Sequence, residues 1–388
     1  MPNRSNLDIT LHDHGDGAIT NLEALPTYYS MGELEMPPEV REYQSLEDLH
    51  KKVSVWYSNP QIDIVRKFGL ITNILQSAES LFLFGYQYTK TRADQGMRYC
   101  EMRFAPQYHT RGKPVKGKNG EIDFTGEGAL SIKEIVAAVT EGIKAAEEEF
   151  PSIEVNLILC VDRAVDPETA VNLIRAFADC DRDYVVGVDL ACDEASHPPL
   201  KHRAMYDAAR HMEFKTTCHA GEWVVNRAPD QYNTAQKIRA NFLEDLGALM
   251  QNVRDAVWQL HVNRVGHAIP LGHYLAILQQ TGRVGSDRLY NDLREYEIGI
   301  EGCPASNVWC GHITGPTSLN IRALMNLNLL YSLNQDDDLF MPGLEETFEI
   351  CDKEYQFTPG EIAKLRTNAW NSRFGRRKYK EMPNIIAA

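Results

Sequence analysis

Leu11-His12-Asp13-His14-Gly15-Asp16-Gly17 closes the first apolar run of the chain. Residues two apart in a strand point to the same side, so His12 and His14 present two imidazoles together, with Asp16 following if the strand continues. A His-x-His pair leaving a buried strand builds one edge of a metal site, although alone it occurs often by chance. What the pair lacks lies downstream, in His219-Ala220-Gly221-Glu222, in Gly266-His267 and in Asp336-Asp337.

Those pieces stand at the ends of apolar runs. Strand candidates cover residues 9–11, 98–104, 155–161, 184–191, a run ending at Cys218-His219, then 264–267, 298–303 and 327–333. Helical patterns separate them. Residues 45–89 are helical and rich in aromatics (Trp56, Phe68, Phe82, Phe84, Tyr86, Tyr88), reading as core helix or as a roof over a pocket. Ser131-Ile132-Lys133-Glu134 has the form of a capping box. Asp166-Pro167 opens another helix as cap and first residue. A long helix covers 234–260, helix continues beyond Gly343, and the Gly- and Lys-rich stretch 111–128 reads as an exposed loop.

Continuous apolar strands alternating with helices imply a parallel sheet covered on both faces. Eight such units over 388 residues favour a closed α/β (β/α)8 barrel of the TIM type, with helical insertions at its C-terminal face, as one domain over 1–388. The polar clusters fall at C-terminal strand ends, where such barrels keep their chemistry. A Gly-x-Gly-x-x-Gly fingerprint after a strand is absent.

Composition narrows the function. With 54 acidic against 40 basic residues the net charge is −14, contrary to the basic excess of a nucleic-acid binder. The eight cysteines are scattered without paired spacing, which fits a reducing, cytoplasmic setting. The start Met1-Pro2-Asn3-Arg4 shows no signal peptide, and no apolar run reaches the roughly 18 residues of a membrane span.

His12, His14 and His219, with Asp336 from the last strand, suit one zinc ion per chain with a position left for water. Bound zinc lowers the pKa of water to about 7. Glu222, three residues beyond His219, is the carboxylate placed to move protons; His267 orients or deprotonates the water; Asp337 accepts a hydrogen bond from water or substrate. Any one of these histidines is more often structural than a ligand, and Asp336-Asp337-Asp338 alone reads as a solvated turn. Their common placement at strand ends outweighs both readings. The remaining histidines, His50, His109, His197, His202, His211, His261, His273 and His312, read as surface or helix residues, and Cys303 and Cys310 as buried thiols.

The chain resembles the adenosine deaminase family of metal-dependent barrel amidohydrolases. The resemblance rests on His12-Asp13-His14-Gly15-Asp16-Gly17, Glu101-Met102-Arg103-Phe104-Ala105-Pro106, Asp189-Leu190-Ala191-Cys192-Asp193-Glu194, His219-Ala220-Gly221-Glu222, Arg264-Val265-Gly266-His267, Cys303-Pro304-Ala305-Ser306-Asn307 and Ser332-Leu333-Asn334-Gln335-Asp336-Asp337, in family order. It implies a single zinc on His12, His14, His219 and Asp336, Glu222 as proton donor to purine N1, His267 as partner of the attacking water, and Asp337 near purine N7. Substrate contacts would fall to His14, Asp16 (the ribose 5′-hydroxyl), Cys192 and Asp337.

The implied activity is that of a hydrolase acting on a cyclic amidine C–N bond: adenosine or 2′-deoxyadenosine plus water to the 6-oxo nucleoside and ammonia. The alternatives are a deaminase of a modified or different aminated base (N6-substituted adenosine, adenine, a pterin) and a non-catalytic nucleoside-binding barrel. Two positions depart from the family: Gly15 where a large apolar residue is usual, and Cys192 where a glycine is usual. Gly15 is expected to return some of the space that the Cys192 side chain takes.

Overall fold

The computed structural model describes residues 8–53, 67–117, 122–231 and 233–383. Eight strand segments run parallel in chain order. β1 is Ile9–His14, β2 Tyr99–Phe104, β3 Glu154–Asp162 and β4 Val185–Ala191. β5 is formed by Lys215–Thr216 and His219–Ala220, and β6 is Arg264–His267, β7 Gly299–Gly302 and β8 Tyr331–Leu333. One sheet orders β1-β2-β3-β4 with the first part of β5; the other orders β8-β7-β6 with the second part. Asn263 N to Thr216 O (2.9 Å) and Gly266 N to Cys218 O (2.8 Å) join them through β5. On the opposite side the parallel bridge Asp13↔Asp336 closes the ring, with His14 N on Asp336 O and Asp336 N on His12 O, both 3.0 Å. Strand–helix alternation thus gives the expected closed (β/α)8 barrel.

Local sequence accounts for the helix starts. Ser131 accepts from Glu134 N while the Glu134 carboxylate takes Ser131 N, completing the capping box, and Ile135, Val136, Val139 and Ile143 bury one face of Ile132–Glu149. Asp166 caps Pro167–Ala178 through Glu168 N and Thr169 N, and Thr234 caps Ala235–Trp258 through Lys237 N. Phe84 and Tyr88 of Ala78–Asp94 are fully buried, as core helix requires, whereas Phe82 is exposed. Trp56 lies outside the described residues.

Three expectations differ in detail. The stretch 111–128 is not all loop, because Pro114–Lys116 and Ile122–Phe124 pair as an antiparallel hairpin. The last strand is only Tyr331–Leu333; the preceding apolar residues close the short helix Ile321–Asn326, and Leu329 is buried there. The first strand ends at His14, so Asp16 sits in the following turn and not on the strand face.

The floor of the barrel is closed by the chain's own tail. After Pro359–Ser372, Phe374 N bonds Glu101 Oε1 (2.5 Å), Gly375 N bonds Tyr99 Oη (2.7 Å), and Arg377 reaches Glu154 and Glu147 at 2.9 and 2.8 Å. Arg366 holds Asp8 at the entrance to β1 (2.6 and 2.8 Å). Among the described residues no helix is long and apolar enough to cross a membrane.

Candidate active site

At the C-terminal mouth, β1 delivers His12 and His14, β5 delivers His219, and the exit of β8 delivers Asp336. His12 Nε2 and His14 Nε2 lie 3.1 and 3.2 Å from His219 Nε2. Asp336 Oδ1 stands 3.4 and 3.5 Å from the first two. One donor atom from each residue falls within 4.8 Å of all the others.

Residues below fix the ring orientations. His12 Nδ1 contacts Glu301 Oε2 and His219 Nδ1 contacts Asp189 Oδ2, each at 2.9 Å. A carboxylate on Nδ1 keeps the proton there and leaves the Nε2 lone pair free. Two converging Nε2 lone pairs on His12 and His219 make a poor hydrogen bond and a good cation seat. The donor set, N3O with carboxylate-backed imidazoles, therefore fits a zinc ion.

Arg103 spans the two supporting carboxylates, at 2.7 Å from Asp189 and 2.9 Å from Glu301. Arg264 adds a contact to Glu301 Oε1 at 2.6 Å. Burial raises the Glu301 pKa, but Arg103 and Arg264 overcome it and hold the carboxyl well below the usual range. A charged layer thus lies directly under the imidazoles.

Glu222 stands beside this cluster. Its Oε2 is 3.6 Å from His267 Nε2 and its Oε1 3.7 Å from His312 Nε2. Burial pushes the Glu222 carboxyl up to about 7. The same burial lowers His267 to about 4. His267 Nδ1 meets Asn307 Oδ1 at 2.9 Å, an acceptor, so Nδ1 carries the proton and Nε2 stays free toward Glu222 and Asp336. Glu194 grips the loop that carries Glu222, accepting Gly221 N at 2.7 Å and Glu222 N at 2.9 Å, with Asn252 Nδ2 on it at 2.7 Å.

Asp337 is buried, and its Oδ1 has no hydrogen-bond partner among the described residues. Burial, then the Asp336 and Glu222 charges, raise its pKa well above the ordinary value. A Cβ on Gly17 would fall 2.0 Å from Asp337 Oδ1, so only glycine allows this approach. Asp16 Oδ1 faces His109 Nε2 at 3.3 Å, and neither atom has a hydrogen-bond partner among the described residues.

Cys192 has φ +77° and its sulfur sits 3.5 Å from Tyr108 Oη at the solvent-exposed rim. Gly15 returns no space to it. A Cβ there would meet Phe84 Cζ at 2.7 Å and Met102 Sδ at 2.8 Å, so those side chains already fill the volume. His267 (φ +61°), Ala268 (+47°) and Asp336 (+70°) share the left-handed backbone region with Cys192. Such non-glycine strain gathers at functional sites.

His12, His14, His219, Asp336, Glu222, His267 and Asp337 come together at one mouth, while Asp16 and Cys192 lie in loops around it. Two residues read as bland are part of the cluster: His312, half-buried and stacked on Trp223 (ring centroids 5.7 Å apart, planes 2° apart), and the buried His109 beside Asp16. The supporting role of Arg103 had one sequence signal, since a charge inside an otherwise apolar strand needs a buried partner.

The family model described as Adenosine deaminase matches residues 8–230 and 244–383. An adenosine deaminase from Enterococcus faecalis is 27% identical over 365 residues, covering 93% of this chain and 90% of that protein. Among solved structures, an adenine deaminase from Arthrobacter aurescens aligns with TM-score 0.70 at 20% identity, over 97% of this chain and 95% of its own. An amidohydrolase from Burkholderia ambifaria with bound Zn aligns with TM-score 0.70 at 18% identity, over 96% of this chain and 87% of its own.

Proposed function

The chain belongs to the adenosine deaminase family and is a hydrolase of amidine C–N bonds, and from that premise we propose that it deaminates an aminopurine nucleoside, adenosine or 2′-deoxyadenosine, to the 6-oxo product and ammonia. The observation that carries this reading is the pairing of an imidazole–carboxylate donor set with a separate carboxyl, Glu222, held near pKa 7 beside it. The catalytic unit is the whole barrel with its insertions, taken as one domain. Its setting is the cytoplasm, in keeping with eight unpaired thiols.

His12, His14, His219 and Asp336 hold one zinc ion per chain, which when bound supplies a water of lowered pKa. His267 presents its free Nε2 as acceptor for the water proton. Glu222, protonated near neutrality, gives its proton to purine N1, so that C6 accepts the attacking oxygen without a negative charge building on the ring. Asp337 offers its orphaned oxygen to a donor on the water or the base. Asp16 with His109 receives a polar group of the sugar, and Cys192 borders the base edge.

The sulfur of Cys192 beside Tyr108 favours one second reading, a deaminase for an altered base such as adenine or an N6-substituted adenosine. Ammonia release from adenosine, 2′-deoxyadenosine, adenine, N6-substituted adenosines and pterins separates the two. Glu222→Gln is expected to lower turnover by about 10²–10⁴-fold on the true substrate. Deamination of none of these compounds by the zinc-loaded protein would refute both readings.

A further inference from the structure

We propose that Arg92 is a positioning residue for the metal centre, clamping the exits of the first and last strands in the register that lets His12, His14 and Asp336 meet. The inference rests on the metal reading above. β1 and β8 meet at the weakest seam of the barrel. Between them the ladder is a single isolated bridge, Asp13↔Asp336, whereas β2 and β3 share a register of six pairs. That seam carries three of the four proposed ligands.

The side chain of Arg92, on the helix Ala78–Asp94, spans it. Nε and Nη2 bond the two oxygens of Asp13 at 2.9 and 3.0 Å; Nη1 and Nη2 bond the two oxygens of Asp338 at 2.7 and 2.9 Å. Asp13 stands between His12 and His14, and Asp338 is two residues beyond Asp336. Tyr88 Oη donates to Asp13, and Asp338 Oδ1 also takes Ile19 N at 2.8 Å, tying in the turn after β1. Arg92 and Asp13 are wholly buried and Asp338 nearly so.

A buried ion cluster adds little net stability over well-packed apolar residues. What a planar guanidinium adds is geometry, since its fork fixes the distance and plane of each carboxylate it holds. The clamp reaches the ligands only through the backbone of their neighbours. Its removal is therefore expected to loosen the ligand set before the fold.

Arg92→Lys keeps the charge but not the fork, and Asp338→Asn keeps the shape but not the charge. The readouts are the zinc dissociation constant, by chelator competition, beside the urea midpoint of the metal-free protein and kcat and KM. The expected result is zinc affinity weakened about 10–100-fold in each variant, kcat lowered and KM changed by less than about threefold, with a folded protein throughout. Zinc affinity and kcat within about twofold of wild type in either folded variant would overturn the proposal. So would failure of both variants to fold, which would make Arg92 a determinant of the fold alone. A wild-type protein that binds no zinc in the same titration would instead refute the metal reading, so the two failures are distinguishable.

Discussion

Glu194 Oε2 accepts the backbone N–H of Glu222 at 2.9 Å, and the same carboxylate holds Gly221 N and Trp223 N at 2.7 and 3.3 Å. One buried acid thereby fixes the turn that aims another. Glu194→Ala strands four donors, the three backbone N–H groups and Asn252 Nδ2, and each buried group left unpaired costs about 1–3 kcal/mol. A loss of at least about 2 kcal/mol in unfolding free energy is expected, with Asn252→Ala costing less because it removes one partner only. Urea denaturation of both variants checks this; equal losses would show that the backbone contacts carry no special weight.

The opposed shifts of Glu222 and His267 set the pH dependence. Glu222, raised by burial to about 7, must hold its proton to act as the acid; His267, lowered by burial to about 4, must lack one at Nε2 to act as acceptor. Activity is therefore expected to fall as pH rises through about 7 and again as it drops toward about 4, with its maximum between. A kcat/KM profile level from about pH 6 to about pH 9 would remove Glu222 from the acid role.

Metal stoichiometry is the third expectation. One zinc per chain should bind the wild type, and His14→Ala should lose it, since His14 is one of four converging donors among the described residues. Elemental analysis of dialysed protein decides it. Two ions per chain would bring in the overlapping set of His12, His267, Cys303 and Asp336 instead.

Cys192→Gly tests two properties at once. A residue with a Cβ in the left-handed region costs roughly 1–2 kcal/mol, so glycine at φ +77° should raise stability by about 1 kcal/mol. Removing the sulfur beside Tyr108 should also shift kcat/KM between adenosine and 2-substituted adenosines by roughly 10–200-fold. A stability gain with an unchanged ratio would restrict Cys192 to a backbone role.

The strand-exit chemistry was legible because it is local. His12-Asp13-His14 and His219-Ala220-Gly221-Glu222 declare both residue type and spacing within a few positions, and apolar runs before them place them on strands. What escaped the sequence depends on curvature. His312 leaves β7's following helix and meets Glu222 only because the barrel bends back, and nothing in its neighbours marks it. His109 faces Asp16 across a similar gap. The space at Gly15 is not legible locally, because Phe84 and Met102, distant in sequence, occupy it. The eighth strand is shorter than its apolar run, since apolar residues serve helix ends as well as strands.

Because residues 373–378 supply partners to Glu101, Glu147 and Glu154, an unfinished chain on the ribosome holds those acids without them. At roughly 5–20 residues per second, about 20–70 s pass between synthesis of His12 and of Arg377. The earliest strand is anchored by Arg366 at its entrance and by Asp336 at its exit, both made late. The ring therefore closes only once residues 336–378 are present, and loss of the last dozen described residues would leave the barrel with an open floor.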